Sequence, residues 1–156
     1  VFSAVGTAGQ RCTTLRRLFV HESVYDTLVP RLKKAYASLP IGSPLEKSTL
    51  VGPLIDRDAF DAMQRTLSTA REEGGKVFGG TSAQITGCEE GYYVYPALVE
   101  MTTQTQTMHH ETFAPILYIV PYQTMEQAKI LNSDLVIIML MKFLLILKMI
   151  TKLVVD

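Results

Sequence analysis

An excess of either charge is missing from this sequence. Its 15 basic and 15 acidic residues leave a formal net charge of zero, so no global field draws it to nucleic acid or to an anionic membrane, and a small molecule is the expected partner. Cysteine is scarce. Cys12 and Cys88 lie far apart and follow no CxxC or other metal-ligand spacing, which argues against a disulfide framework. That usage fits a reducing compartment, cytoplasmic or mitochondrial, where a lone thiol is either buried packing or a reactive group. Also absent is a basic region leading into a short apolar stretch, the mark of a signal peptide. The chain opens on Val1 rather than methionine, and an address carried upstream would lie outside these residues.

What is present is ample material for one core: 156 residues, 47% of them apolar. Leu15 to His21 ends in an apolar run and reads as a buried strand. Ser23, with Asp26 three residues on, predicts a helix N-cap and an acidic first turn. Val24, Leu28, Leu32, Ala35 and Leu39 recur at spacings of three and four, one helix face ending near Pro40. Residues 41–54 are rich in Gly, Pro and Ser and read as a surface connection. A second helix is capped by Asp56, striped by Phe60, Met63, Leu67 and Ala70, and stopped by Gly74 and Gly75. Lys76 to Phe78 predicts a short strand. Tyr92 to Met101 looks extended, and Pro96 places that strand at an edge or interrupts it. Ile116 to Val120 suits a strand buried on both faces, and Thr124 to Leu131 returns as a helix. The alternation implies an α/β domain with a largely parallel sheet.

The last stretch differs. Leu135 to Asp156 is almost unbroken Leu, Ile, Met and Val, interrupted by Lys142, Lys148 and Lys152. Lys142 near the middle of the most apolar window would cost roughly 3 kcal/mol in a bilayer, so a buried helix or a poorly ordered tail is expected rather than a span. The expected division is 1–132 as the domain and 133–156 as an apolar tail.

Chemistry concentrates around Cys12. The segment Gly6-Thr7-Ala8-Gly9-Gln10-Arg11-Cys12-Thr13-Thr14 is turn-prone and small-sided, so a substrate can approach its backbone. The flanking cations Arg11, Arg16 and Arg17 are of the sign that favours thiolate. Residue types alone also allow a structural cysteine. His109 and His110 beside Glu111 do not have the spacing of a zinc protease, and no metal is expected. Cys88, between Gly87 and Glu89, reads as a bystander in an exposed loop, and Tyr92, Tyr93 and Tyr95 as residues lining a strand.

The Gly-Gln-Arg-Cys run, followed by the basic-apolar strand Arg17-Leu18-Phe19-Val20-His21, resembles the nucleophile segment of aldehyde dehydrogenases. Glu111-Thr112-Phe113-Ala114-Pro115 resembles that family's Glu-x-Phe-Gly-Pro cofactor motif, with alanine in place of the glycine. Gly91-Tyr92-Tyr93-Val94-Tyr95-Pro96-Ala97-Leu98 resembles the extended segment before it. The three matches, in order, cover Val1 to about Asn132. Ala114, the opening Ala4-Val5-Gly6-Thr7-Ala8 and His21-Glu22-Ser23 look most like the antiquitin branch, whose substrate is α-aminoadipic semialdehyde.

The resemblance implies a partial, parallel-sheet catalytic domain. It implies that the Cys12 thiolate attacks an aldehyde, that NAD or NADP takes the hydride, and that water releases the acid from a thioester. The Cys12 backbone N–H would serve the oxyanion, Glu111 would bind the nicotinamide ribose hydroxyls, and Phe113 would pack near the nicotinamide ring. Arg11 would meet an acidic substrate tail, an ion pair within the fold being the alternative. A homo-oligomer is implied for the full-length protein.

Such an enzyme also uses a dinucleotide-binding domain, an asparagine oxyanion donor and a glutamate base, all before the nucleophile. Only eleven residues precede Cys12 here, so this chain alone is expected to be inactive or nearly so. Two rival readings are a non-catalytic module that binds full-length subunits or a membrane surface, and a cysteine hydrolase using His109 or His110 as base.

Overall fold

The computed structural model describes residues 1–133 of the 156. Among these, β1 (Arg17–His21), β2 (Lys76–Phe78), β3 (Ala97–Glu100) and β4 (Ile116–Tyr122) form one sheet in the order β1-β4-β3-β2. β4 pairs in parallel with β1 and with β3, while β2 runs antiparallel to β3. The α/β, largely parallel expectation therefore holds. β4 lies between two strands and is buried from Ile116 to Val120, as its uninterrupted apolar sequence requires of a strand covered on both faces.

The second long helix, α3 (Arg57–Glu72), matches its sequence signals closely. The Asp56 carboxylate accepts from the Ala59 N–H at 2.8 Å, and Met63, Leu67 and Ala70 are buried. Gly74 takes the chain out at φ +90°, a conformation that glycine reaches without steric penalty.

The first long helix, α2 (Glu22–Ala37), departs from expectation in two ways. Its cap is His21, whose ring nitrogen accepts from the Ser23 N–H, and not Ser23 itself. Its buried residues are Val29 and Tyr36, whereas Val24 is exposed, so the face turned inward is rotated from the one its apolar spacing suggested. Lys33 and Tyr25 explain the rotation. Lys33 Nζ lies 2.6 Å from a Glu100 oxygen, and the Tyr25 hydroxyl donates to the other at 3.0 Å, so polar groups at the end of β3 set the angle of the helix. Burial works against Glu100 ionising, but hydrogen bonds from Lys33 and Tyr25 and the charges of Lys33 and Lys76 outweigh it, and its carboxyl sits below the usual range.

Three further expectations are refined. The first strand starts at Arg17, two residues later than Leu15. Pro96 interrupts rather than marks an edge: β3 begins at Ala97 and has neighbours on both sides. Before it, Tyr92 and Val94 make only isolated bridges, to Leu54 and Ser82. The 41–54 connection is anchored from below, since Val51 and Leu54 are buried.

Residues Val1–Tyr122 form one compact unit. Within the second, which starts at Gln123, the described element is α4 (Met125–Ser133), entered through a Gln127 N–H bond to the Thr124 hydroxyl. The predicted apolar tail from Leu135 lies outside the described residues. No helix among the described residues is long and apolar enough to cross a membrane.

Candidate active site

Parallel pairing decides where the chemistry-bearing segments meet. β1 and β4 are adjacent and run the same way, with Arg17 opposite Tyr118, so the segments leading into them emerge at the same end of the sheet. One of those segments carries Cys12, and the other carries Glu111 and Phe113.

The Cys12 segment is held in an unusual backbone state. After α1 (Phe2–Val5), Thr7, Ala8 and Gly9 all have positive φ, at 53°, 52° and 71°. Two non-glycine residues in that region cost on the order of 1–2 kcal/mol each, and such strain persists only where the surroundings impose it. They do so here. A Cβ on Gly9 would overlap the Ala114 carbonyl and the Pro115 nitrogen, so this backbone is pressed against the entry to β4.

Gln10 clamps the turn from the other side. Its amide donates to the Pro53 and Thr7 carbonyls, both at 3.2 Å, and accepts from the Ile55 N–H at 2.8 Å. Around Cys12 itself, Thr14 closes a tight turn: its N–H donates to the Arg11 carbonyl at 3.0 Å, and its hydroxyl accepts from the Arg11 N–H at 3.3 Å. Cys12 sits at the tip of this turn, free and exposed.

Arg16 joins the two segments. Its guanidinium donates to the Thr112 carbonyl, to the Gly9 carbonyl at 3.2 Å and to the Arg11 carbonyl at 3.3 Å, and its Nε lies 3.3 Å from a Glu111 oxygen. The Phe113 ring centroid is 5.2 Å from the Arg16 carbon, a cation–π distance. Burial lowers the Arg16 pKa, and it is opposed by the charge and hydrogen bond of Glu111 and by Cys12. Glu111 and Phe113 thus contact one cation, which also bonds the carbonyl of the residue before Cys12, and Cys12, Glu111 and Phe113 are all exposed, Phe113 at 48%. Thr112 anchors the second segment to α3 through a 3.0 Å hydroxyl contact with Thr66.

The other predicted residues fall elsewhere. The Arg11 side chain is exposed at the turn. Arg17 is the first residue of β1, and its guanidinium donates to Gln104 at 2.7 Å. Arg16, just before the strand, bonds instead to the Gly9, Arg11 and Thr112 carbonyls and to Glu111. Cys88 is half-buried rather than exposed, with its thiol bonded to the Tyr93 hydroxyl, whose pKa that bond and burial raise. His109 and His110 are exposed on the connection before Glu111. Among the described residues no group of three or more His, Cys, Asp or Glu could hold a metal. Sequence reading missed the roles of Gln10, Thr14 and Arg16. Gln10 stood inside a quoted motif, but nothing local pointed to its distant carbonyl partner.

Set against known proteins, residues 1–135 match the model of the aldehyde dehydrogenase family. The chain is 43% identical over 133 residues to aldehyde dehydrogenase family 7 member A1 of Pisum sativum, a match covering 85% of this chain and 26% of that one. It is 42% identical over 135 residues to alpha-aminoadipic semialdehyde dehydrogenase of Bos taurus, covering 86% and 24%. Among solved structures it resembles lactaldehyde dehydrogenase of Escherichia coli, with a TM-score of 0.76, 34% identity and coverage of 85% and 28%. Betaine aldehyde dehydrogenase of Staphylococcus aureus, solved with NAD+, has a TM-score of 0.80 at 22% identity over 85% and 27% of the two chains, a likeness of fold. The chain spans about a quarter of the length of the curated relatives it matches.

Proposed function

The chain belongs to the aldehyde dehydrogenase family, and from that premise we propose that Cys12 is the nucleophile of an NAD(P)-dependent oxidation of an aldehyde to a carboxylic acid. The observation that carries the reading is that Arg16 joins the Cys12 turn, through the Arg11 carbonyl, to Glu111 and Phe113. The relatives named for α-aminoadipic semialdehyde make that compound the first substrate to test. The homo-oligomer belongs to the same proposal and rests on the resemblance alone, while the cytoplasmic or mitochondrial location rests on the cysteine usage.

In this reading the Cys12 sulfur forms a bond to the carbonyl carbon, and the π pair moves onto the oxygen. The Cys12 N–H is the backbone donor that the oxyanion meets. A bound nicotinamide supplies the acceptor for the hydride leaving that carbon, which turns the hemithioacetal into a thioester. Water then adds to the thioester, the carbon–sulfur bond breaks, the acid departs and the thiol is restored.

Glu111 and Phe113 fit the coenzyme. The carboxylate is 53% exposed, so it can accept from both hydroxyls of a ribose while Arg16 holds it from behind. The Phe113 ring is open enough to lie against a flat heterocycle. Arg11, exposed beside Cys12, is suited to a substrate carboxylate. The second oxyanion donor and the water-activating base required by the family chemistry would come from residues outside these 156. One lost oxyanion donor typically costs about 100- to 1,000-fold, and the chain alone is therefore expected to turn over negligibly.

Alkylation tests the nucleophile directly. Iodoacetamide should label Cys12 faster than Cys88, a semialdehyde should slow the labelling of Cys12 only, and NADH should not accumulate. Equal labelling of both thiols with no protection by the aldehyde would remove the nucleophile assignment, and rapid NADH formation would remove the expectation of inactivity.

A further inference from the structure

The Arg11 carbonyl that Arg16 holds belongs to the same peptide unit as the Cys12 N–H. No cis peptide occurs among the described residues, so this unit is planar with its carbonyl and N–H pointing in opposite directions. The carbonyl oxygen accepts from the Thr14 N–H at 3.0 Å and from the charged Arg16 donor at 3.3 Å; the two together aim the Cys12 N–H, and only the second connects it to Glu111. They also polarise the unit, because hydrogen bonds on the two ends of one amide strengthen each other. The remaining donors of the same guanidinium hold the Gly9 carbonyl, the Thr112 carbonyl and one Glu111 oxygen. Its side chain is 16% exposed, against 53% for that of Glu111, so the carboxylate can turn toward a ligand while the cation stays in place.

We propose that Arg16 is a positioning residue that couples the two halves of the site: one guanidinium orients Glu111 and shares with Thr14 the carbonyl that directs the Cys12 N–H, so that events at the carboxylate are felt at the nucleophile's backbone. The inference rests on the roles given above to Cys12 and Glu111 and adds a connection between them. A fork of five donors is needed for it. Lysine has the charge but cannot span three carbonyls and a carboxylate.

A double-variant cycle on the 156-residue chain tests the coupling. Arg16→Lys, Glu111→Gln and the double variant are compared through the Cys12 backbone amide resonance and through the alkylation rate of Cys12 relative to Cys88. R16K should move the Cys12 resonance and change the relative rate about threefold, the size expected of residues in one network. E111Q should move the same resonance when Arg16 is present and leave it still in the R16K background. Equal displacement in both backgrounds, or none in either, overturns the proposal.

If R16K loses its dispersed spectrum, the comparison passes to E111Q against E111D in the otherwise unchanged chain. The aspartate variant, which keeps the charge, should restore the Cys12 resonance, and identical spectra for the two overturn the proposal. The semialdehyde protection of unsubstituted Cys12 is read separately. Protection without coupling defeats only this inference, whereas coupling without protection defeats only the proposed reaction.

Discussion

Two clusters in this protein are built from the same parts, a cation, a carboxylate and an aromatic ring, at opposite ends of the parallel strands. At the end where β1 and β4 begin, Arg16 meets Glu111 at 3.3 Å with Phe113 5.2 Å away. At the end where β3 finishes, Lys33 meets Glu100 at 2.6 Å with Phe78 6.0 Å away. The difference lies in which partner faces water. The Glu100 side chain is 17% exposed and accepts from Lys33 and Tyr25, whereas that of Glu111 is 53% exposed while its cation is largely covered. A covered carboxylate with both oxygens occupied fastens a helix to a sheet. An open carboxylate steadied by a largely covered cation can still accept from something else.

The contrast predicts a graded set of effects. Gly9→Ala should be the most damaging change, because it meets both the +71° φ and the Ala114 carbonyl. A loss of roughly 3–5 kcal/mol in urea unfolding is expected, and a loss under 1 would show that the turn is not pressed against β4. Arg16→Met should follow, at roughly 2–3 kcal/mol, since it leaves several backbone carbonyls short of a donor. Failure to exceed the Lys33 variant would erase the distinction between the two clusters.

Lys33→Met should cost about 1 kcal/mol, as a partly exposed pair does. This cluster also carries an acid signature. Glu100 is held below the ordinary carboxylate range, so its contribution is present above the unfolded value near about 4.3 and disappears as pH falls through its lower folded value. Stability curves of the unsubstituted chain and of Glu100→Gln should therefore converge in acid, and parallel curves below pH ~4 would contradict the assignment. Glu111→Gln should have the smallest effect on folding, within about 0.5 kcal/mol, because an exposed carboxylate gives up little. A larger penalty would make Glu111 a structural residue like Glu100.

Which features could be read from residue order follows from the range of the forces involved. α3 was legible almost completely: its Asp56 cap, its Met63-Leu67-Ala70 stripe and its Gly74 exit all act within a turn or two. α2 was less so. Its apolar residues at spacings of three and four suit more than one face, and the partners that choose among them, Glu100 and the sheet, lie far along the chain. Of the site, Cys12, Glu111 and Phe113 could be nominated through motif resemblance. Arg16 could not be told from Arg11 and Arg17, which have the same chemistry and are close neighbours in sequence. The starting residue of β1 separates them, sending Arg17 to Gln104 and leaving Arg16 at the mouth of the turn.

The residue order by itself determined the alternation of strands and helices, the central apolar β4, the helix stops and the presence of a thiol in a glycine-flanked turn, because propensity, capping and burial pattern act over short separations. Only the tertiary structure decided that this turn lies beside Glu111, that the backbone at Gly9 is forced against Ala114, and that one guanidinium holds both segments. Those facts depend on β1 and β4 pairing side by side in the same direction, a contact between residues a hundred positions apart that no local pattern encodes.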